Sequence, residues 1–255
     1  FIEYVHQANM HSTMMFFTEQ GRLYWTKVYE LPEGNRQSKG RALQNMINIQ
    51  KGDKVCAFIH VKNLNDMEYV QNHYLIFATK DGLMKKTTLE SYSRPRANGI
   101  IALGLREDDR LIRVTLTDGN SQMLVASYNG KVVRFPEDTV RPMGRTATGV
   151  RAIKLDEDGQ DRVIGMICVE ENSKESVLVI SEKGFGKRTD LNDENGEAIY
   201  RITNRGAKGV KTMNLTDKTG NLIGLEAVTD EQDLMLITKS GTAIRMAMDT
   251  IRVMG

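Results

Sequence analysis

Four cations, Lys86, Arg134, Arg188 and Arg245, recur at one place along this chain, each four residues after a glycine that ends a β-rich run. The glycines are Gly82, Gly130, Gly184 and Gly241, with Gly21 as a first member whose matching position holds Trp25, Lys27 standing two residues further on. A repeated cation suits a repeated anion, and a nucleic-acid backbone presents one at every phosphate. A second glycine closes the loop after each basic run, at Gly40, Gly99, Gly149 and Gly209. Arg36 and Lys39, Arg94 and Arg96, Arg141 and Arg145, and Arg205 and Lys208 precede these glycines. With Arg41, Lys85, Lys131, Arg151, Lys187, Arg201 and Arg252 they complete a set of candidate phosphate contacts. Lys86, Arg134, Arg188 and Arg245 are expected to form a continuous track that the loop cations widen.

The elements that must position these residues are β-strands. The runs LVASYNGKVVRF, LVISEKGFGKRT, LIFATKDGLMKKT, MFFTEQGRLYW and LMLITKSGTAIRM are copies of one hairpin. Their glycines lie 61, 48, 54 and 57 residues apart, differing through loop length, and a period of this size signals a repeat architecture. Beyond the second glycine the pattern predicts an alternating strand such as Val150–Leu155, an acidic turn, and a strand opening Asp-x-Leu/Val-Ile at Asp109 and Asp161. One unit thus holds about four strands, and the fold class is all-β. The expected divisions are a half unit at 1–13, units at about 14–72, 73–121, 122–174 and 175–231, and a half unit at 232–255. Phe1-Ile2 reads as the closing strand of an earlier copy, and Ile251–Gly255 repeats Val140–Gly144, so the chain is expected to be a piece of something longer.

Composition narrows the classes of function. The chain has 255 residues, 27% of them charged, with no apolar run of membrane length and no signal-peptide pattern at its start. Two cysteines, Cys56 and Cys168, make no disulfide framework in a chain of this length, which fits a reducing cytoplasm. Catalytic patterns fail on inspection. Gly184–Thr189 has Ser181 where a phosphate loop needs its first glycine and Arg188 where it needs Ser or Thr. His6, His11, His60 and His73 lack metal-ligand spacing, and no Gly-x-Ser-x-Gly occurs.

Net charge is only +2, but its distribution is uneven. The segments Lys27–Arg41, Lys85–Arg106, Lys131–Lys154 and Lys183–Lys211 hold 22 basic and 9 acidic residues, leaving 13 basic and 24 acidic elsewhere. Charge in phase with a repeat becomes charge on one side of a ring of repeats, so a strongly positive rim is expected.

The segment GRLYWTKVYELPEGNRQSKGRALQNMINI (Gly21–Ile49), with Gly130–Phe135, Val140–Gly144 and Thr148–Arg151, resembles the C-terminal domain of the bacterial DNA gyrase A family, and the likeness runs through the chain in order. That resemblance implies a β-pinwheel, a propeller-like disc of four-stranded blades. About five to six are expected here, the terminal ones incomplete. It implies nonspecific binding and wrapping of double-stranded DNA, so that a parent type II topoisomerase introduces negative supercoils. The alternatives are the related C-terminal domain of topoisomerase IV and a protein-interaction propeller. The family's Gln-Arg-Arg-Gly-Gly-Lys-Gly box is absent, Arg36-Gln37-Ser38-Lys39-Gly40 being a degenerate relative, and so is the catalytic tyrosine domain. The resemblance therefore implies no catalysis, metal or cofactor in this piece, with ATP and magnesium used by other domains of the parent. It also implies a gyrase A2B2 heterotetramer as the parent context, a monomeric isolated domain, no membrane, and a nucleoid-associated cytoplasmic location.

Overall fold

The computed structural model describes residues 6–35, 37–171 and 173–254. Phe1, Ile2, Arg36 and Gly255, on which expectations above rest, lie outside them. In chain order come β1 (Thr13–Thr18), β2 (Arg22–Lys27), β3 (Val55–Val61), a short helix α1 (Met67–Asn72), β4 (Tyr74–Thr79), β5 (Leu83–Thr88), β6 (Ile100–Ile101) and β7 (Leu111–Thr117). They are followed by β8 (Gln122–Ser127), β9 (Lys131–Pro136), β10 (Val150–Arg151), β11 (Val163–Val169), β12 (Ser176–Ser181), β13 (Gly186–Asp190), β14 (Val210–Lys211) and β15 (Leu222–Val228). The hairpin β16 (Asp233–Ile237) and β17 (Ala243–Ala247) comes last.

The strands form five sheets, ordered β3-β1-β2-β6, β7-β4-β5-β10, β11-β8-β9-β14, β15-β12-β13 and β16-β17. The first two lie in one compact body, residues 8–120 with 137–152, and the other three in a second, 121–136 with 153–255. In the first body Phe17 and Phe77 meet edge to face at 5.5 Å, inside a cluster with Met15, Leu75, Leu89 and Tyr92. In the second the core gathers Leu124, Val132, Val177, Val179 and Leu225. The central strands β1 and β8 are buried at every residue, and β4 at all but its first, which is why their sequences read as continuous apolar runs and do not alternate.

The four strands of a unit do not share a sheet. Three stay together, and the fourth, after the loop, pairs with the basic strand of the preceding unit: β6 on β2, β10 on β5, and β14 on β9. The strand expected over Val150–Leu155 is only Val150–Arg151. Ala152 N–H donates to Gly82 O at 2.8 Å, at the hairpin turn where the partner strand, Leu83–Thr88, ends. Ala102 and Thr212 end their crossovers the same way, on Gly21 O and Gly130 O. The helix α1 was not expected; Asp66 Oδ1 caps it by accepting from Tyr69 N–H at 3.1 Å, and Val70 is its buried residue.

Three of the four second glycines, Gly99, Gly149 and Gly209, lie against the strand their loop joins. A Cβ on Gly149 would stand 2.4 Å from Met84 O, and on Gly209 2.4 Å from Val132 O, at φ of +104° and +77°. Gly40 has φ +70°, and a Cβ there would meet nothing within 4 Å. Gly149→Ala therefore meets both a backbone clash and a left-handed φ, whereas Gly40→Ala meets only the second. Urea unfolding should show a loss of about 1 kcal/mol for Gly40→Ala and about 3 kcal/mol or more for Gly149→Ala. Equal losses would mean that the close approach is not a constraint.

Candidate nucleic-acid interface

The acidic turns come first, because they decide which charges remain available. Asp53, Asp109 and Asp161, each just before a closing strand, accept at Oδ1 from the N–H of Gln20, Asp81 and Asn129 at 3.1, 3.0 and 3.0 Å. Each carboxylate thus caps the hairpin tip of its own repeat. Asp156 pairs with Lys131 at 2.5 Å and accepts from Asn129, and these bonds hold its carboxyl below the usual carboxylate range. Much of the acid counted in the turns is therefore engaged in holding hairpins.

The cations divide sharply. Lys86, Arg134 and Arg188 are 4%, 2% and 4% exposed, so the expected track of surface cations four residues after the hairpin glycine does not exist at these three positions. Lys86 pairs with Glu137 at 3.0 Å, both side chains buried. Arg134 Nη1 donates to Leu191 O at 3.2 Å, Asn192 Oδ1 at 3.4 Å and Tyr200 O at 3.4 Å. Arg188 donates from Nε to Ser176 Oγ at 2.8 Å and from Nη1 to Met248 O at 3.2 Å, with Asp230 at 2.6 Å. Arg245 is exposed and lies against Asp233. The physical reason for the correction is that both faces of these sheets are covered, so a long side chain on either face runs into protein, where only carbonyls and carboxylates can satisfy it.

Lys85 is corrected likewise: it is fully buried, and Nζ donates to Tyr92 Oη at 3.0 Å and to the carbonyls of Ala102 and Arg145. It also stands 4.7 Å from the Phe77 ring centre. Lys187, half-buried, donates to Thr212 O at 3.3 Å, the carbonyl that matches Ala102. Lys27 donates to Thr13 Oγ1 at 3.0 Å, and Arg145 donates to Ile101 O at 2.6 Å.

The exposed candidates are Lys39, Arg41, Arg94, Arg96, Arg141, Arg151, Arg201, Lys208, Arg245 and Arg252, with Arg205 half-buried. Apart from Arg245, all belong to the crossover loops or to the two-residue strands that end them. Reasoning from sequence missed two cations. Lys211 on β14 is exposed at the position matching Arg151, two residues after the loop glycine, a spacing that was legible. Lys154 lines a shallow pocket of about 260 Å³ with Lys208, Leu155, Asp156 and Glu157, and only the fold brings Lys154 and Lys208 together, through Lys154 N–H to Ala207 O at 2.9 Å.

Burial, and then the Arg145 guanidinium nearby, pulls Lys85 down to about 7. An unfolded lysine holds its proton to about 10.4, so between these values the unfolded chain binds more protons and stability rises with pH. The difference in unfolding free energy between the wild-type chain and Lys85→Met should therefore move in favour of wild type from pH 7 to 10, by up to about 1.4 kcal/mol per unit. A flat difference across that range would show that Lys85 stays charged.

A family model described as DNA gyrase C-terminal domain, beta-propeller, matches residues 12–62, 73–118, 122–170, 175–229 and 232–255. The A subunit of DNA gyrase from Staphylococcus aureus (strain NCTC 8325 / PS 47) is 42% identical over 246 residues, 96% of this chain and 26% of that protein. The chain thus spans about a quarter of the length of the curated relatives it matches. Among solved structures, the C-terminal domain of DNA topoisomerase IV superimposes with a TM-score of 0.81 at 24% identity, covering 96% of this chain and 72% of that one. A DNA gyrase A C-terminal domain superimposes with a TM-score of 0.76 at 22% identity, covering 97% and 76%. These two show the fold. By the reach of the family model and the identity to the gyrase A sequences, this chain belongs to the DNA gyrase C-terminal domain, beta-propeller family.

Proposed function

We propose that this chain binds and bends duplex DNA without sequence preference, through the exposed cations of its crossover loops. The carrying observation is the division of charge: in every complete repeat the loop after the basic strand displays Arg or Lys to solvent, while acids of the turns are tied to hairpin tips. Loops of this kind offer phosphate contacts and no recognition helix for the major groove. Identity to the gyrase A sequences supports gyrase over topoisomerase IV as the parent.

In the parent, the bent segment would be handed to a catalytic core elsewhere, so that an ATP- and magnesium-dependent type II topoisomerase introduces negative supercoils. The parent would work as an A2B2 assembly in the bacterial cytoplasm, with this part needing no cofactor of its own. Among the described residues no group of His, Cys, Asp or Glu is placed to hold a metal ion, and no helix is long and apolar enough to cross a membrane. Smooth bending of 20–30 base pairs through 40–90° costs on the order of 1–6 kcal/mol, which a run of loop contacts must offset.

Binding of a short mixed-sequence duplex should weaken linearly in log affinity against log salt, with a slope of roughly −0.9 per neutralised phosphate. Arg94→Ala, Arg141→Ala and Arg201→Ala should each lower the steepness by up to about 0.9 and weaken binding alike on unrelated sequences. Lys51→Ala, at an exposed turn cation outside the crossover loops, serves as the control. A salt-independent affinity, or loop variants no weaker than that control, would remove this reading.

A further inference from the structure

We infer that the residue four positions after each of the first four hairpin glycines is a positioning residue for the DNA-contact loop of the following repeat, and that its side chain works as a hydrogen-bond donor, not as a phosphate contact. The inference rests on the DNA reading above for its functional half. Its structural half stands on a geometry that recurs four times.

The donor always reaches the segment just ahead of the next repeat's exposed cations. Trp25 Nε1 donates to Tyr92 O at 3.1 Å, two residues before Arg94. Lys86 pairs with Glu137, four residues before Arg141. Arg134 grips Leu191 O and Tyr200 O, the second adjoining Arg201. Arg188 donates to Met248 O, four residues before Arg252.

The same residues hold the loops a second time through their own carbonyls. Lys86 O accepts from Met143 N–H, Arg134 O from Thr203 N–H and Arg188 O from Met254 N–H, each at 2.8 Å. The loop stretches carrying Arg141, Arg201 and Arg252 are therefore fixed on both sides by one residue of the preceding repeat. Met143 and Met254 occupy equal places in the two Val/Ile-Arg-x-Met-Gly segments, so the geometry follows the repeat.

Trp25 decides between donor and charge. It holds the position with an N–H and no charge, yet makes the same reach into the next repeat. A phosphate contact could not tolerate that replacement. A donor position can, provided the acceptor is a neutral carbonyl, as it is for Trp25 and Arg134; Arg188 meets the Met248 carbonyl and the Asp230 carboxylate together.

Two variants and their cycles test this in the 255-residue chain. Trp25→Phe removes an N–H and no charge, and should weaken duplex binding roughly two- to fivefold, an effect that vanishes in an Arg94→Ala/Arg96→Ala background. Arg134→Met should weaken it several-fold alone and less than about twofold when Arg201, Arg205 and Lys208 are already alanine. Arg134→Lys should restore most of the loss, since Lys86 does this work in its own repeat. Without DNA, hydrogen exchange at the Ile199 and Thr203 amides should quicken about tenfold in Arg134→Met while β8 and β12 amides keep their protection. Additive losses in both cycles, or unchanged exchange at Ile199 and Thr203, would overturn the inference. If the wild-type chain binds no duplex, the functional reading falls and the exchange measurement still decides the positioning claim.

Discussion

Every complete sheet in this protein is finished by two residues that belong to the next repeat, and the rest of the structure depends on that loan. The basic strand of a hairpin has a second edge whose N–H and C=O groups need partners. Covering it with a crossover such as Val150–Arg151 satisfies those groups and at the same time ties each repeat to its successor. A repeat of this kind cannot close its own sheet, so its stability comes in part from its neighbour, as expected of quasi-linear repeat proteins. The crossover must run close against the strand, which is why Gly149 and Gly209 stand where any side chain would strike a carbonyl.

The distribution of charge follows from the same loan. The loop that carries the crossover back to the preceding sheet has to pass over solvent, and most of its cations lie outside, while Arg145 is drawn in by the Ile101 carbonyl. The carboxylates of the turns have a defined task, the capping of hairpin tips by Asp53, Asp109 and Asp161. Charge segregation in this chain is thus a consequence of topology: acids are drawn to the hairpin ends, and bases remain on the crossovers.

The sequence showed the repeat, its phase and its loops, because glycines at left-handed φ, as at Gly82 and Gly130, can be counted. Even the match of Ile251–Gly255 to Val140–Gly144 has a structural counterpart, in the equal bonds of Met254 and Met143 to the preceding repeat. Which sheet a strand joins could not be read, since two residues such as Ile100–Ile101 carry no pairing information of their own. The depth of Lys85, Lys86, Arg134 and Arg188 was hidden for another reason. Alternation reports burial only when one face of a strand is wet, and here adjacent lysines at 85 and 86 are both enclosed. The helix Met67–Asn72 was missed because a turn and a half leaves too short a period to detect, although Asp66 and Glu68 were its capping signals.

On the proposed reading, rigid presentation would turn the loop cations into a bending surface. A flexible arginine loses conformational entropy each time it meets a phosphate, and a mobile loop loses more. A loop fixed at its base by a buried donor and a main-chain bond has met that cost during folding, so a larger share of each contact is left to oppose the stiffness of the duplex. Buried guanidinium groups would look wasteful in a domain that met a polyanion, since Arg134 gives up hydration and is almost wholly enclosed. Their value lies one repeat away, in where Arg201, Arg205 and Lys208 are held. The occurrence of tryptophan at the first of these positions shows that the repeat is organised around a donor of sufficient reach, with charge added where a carboxylate stands within reach, as Glu137 does for Lys86 and Asp230 for Arg188.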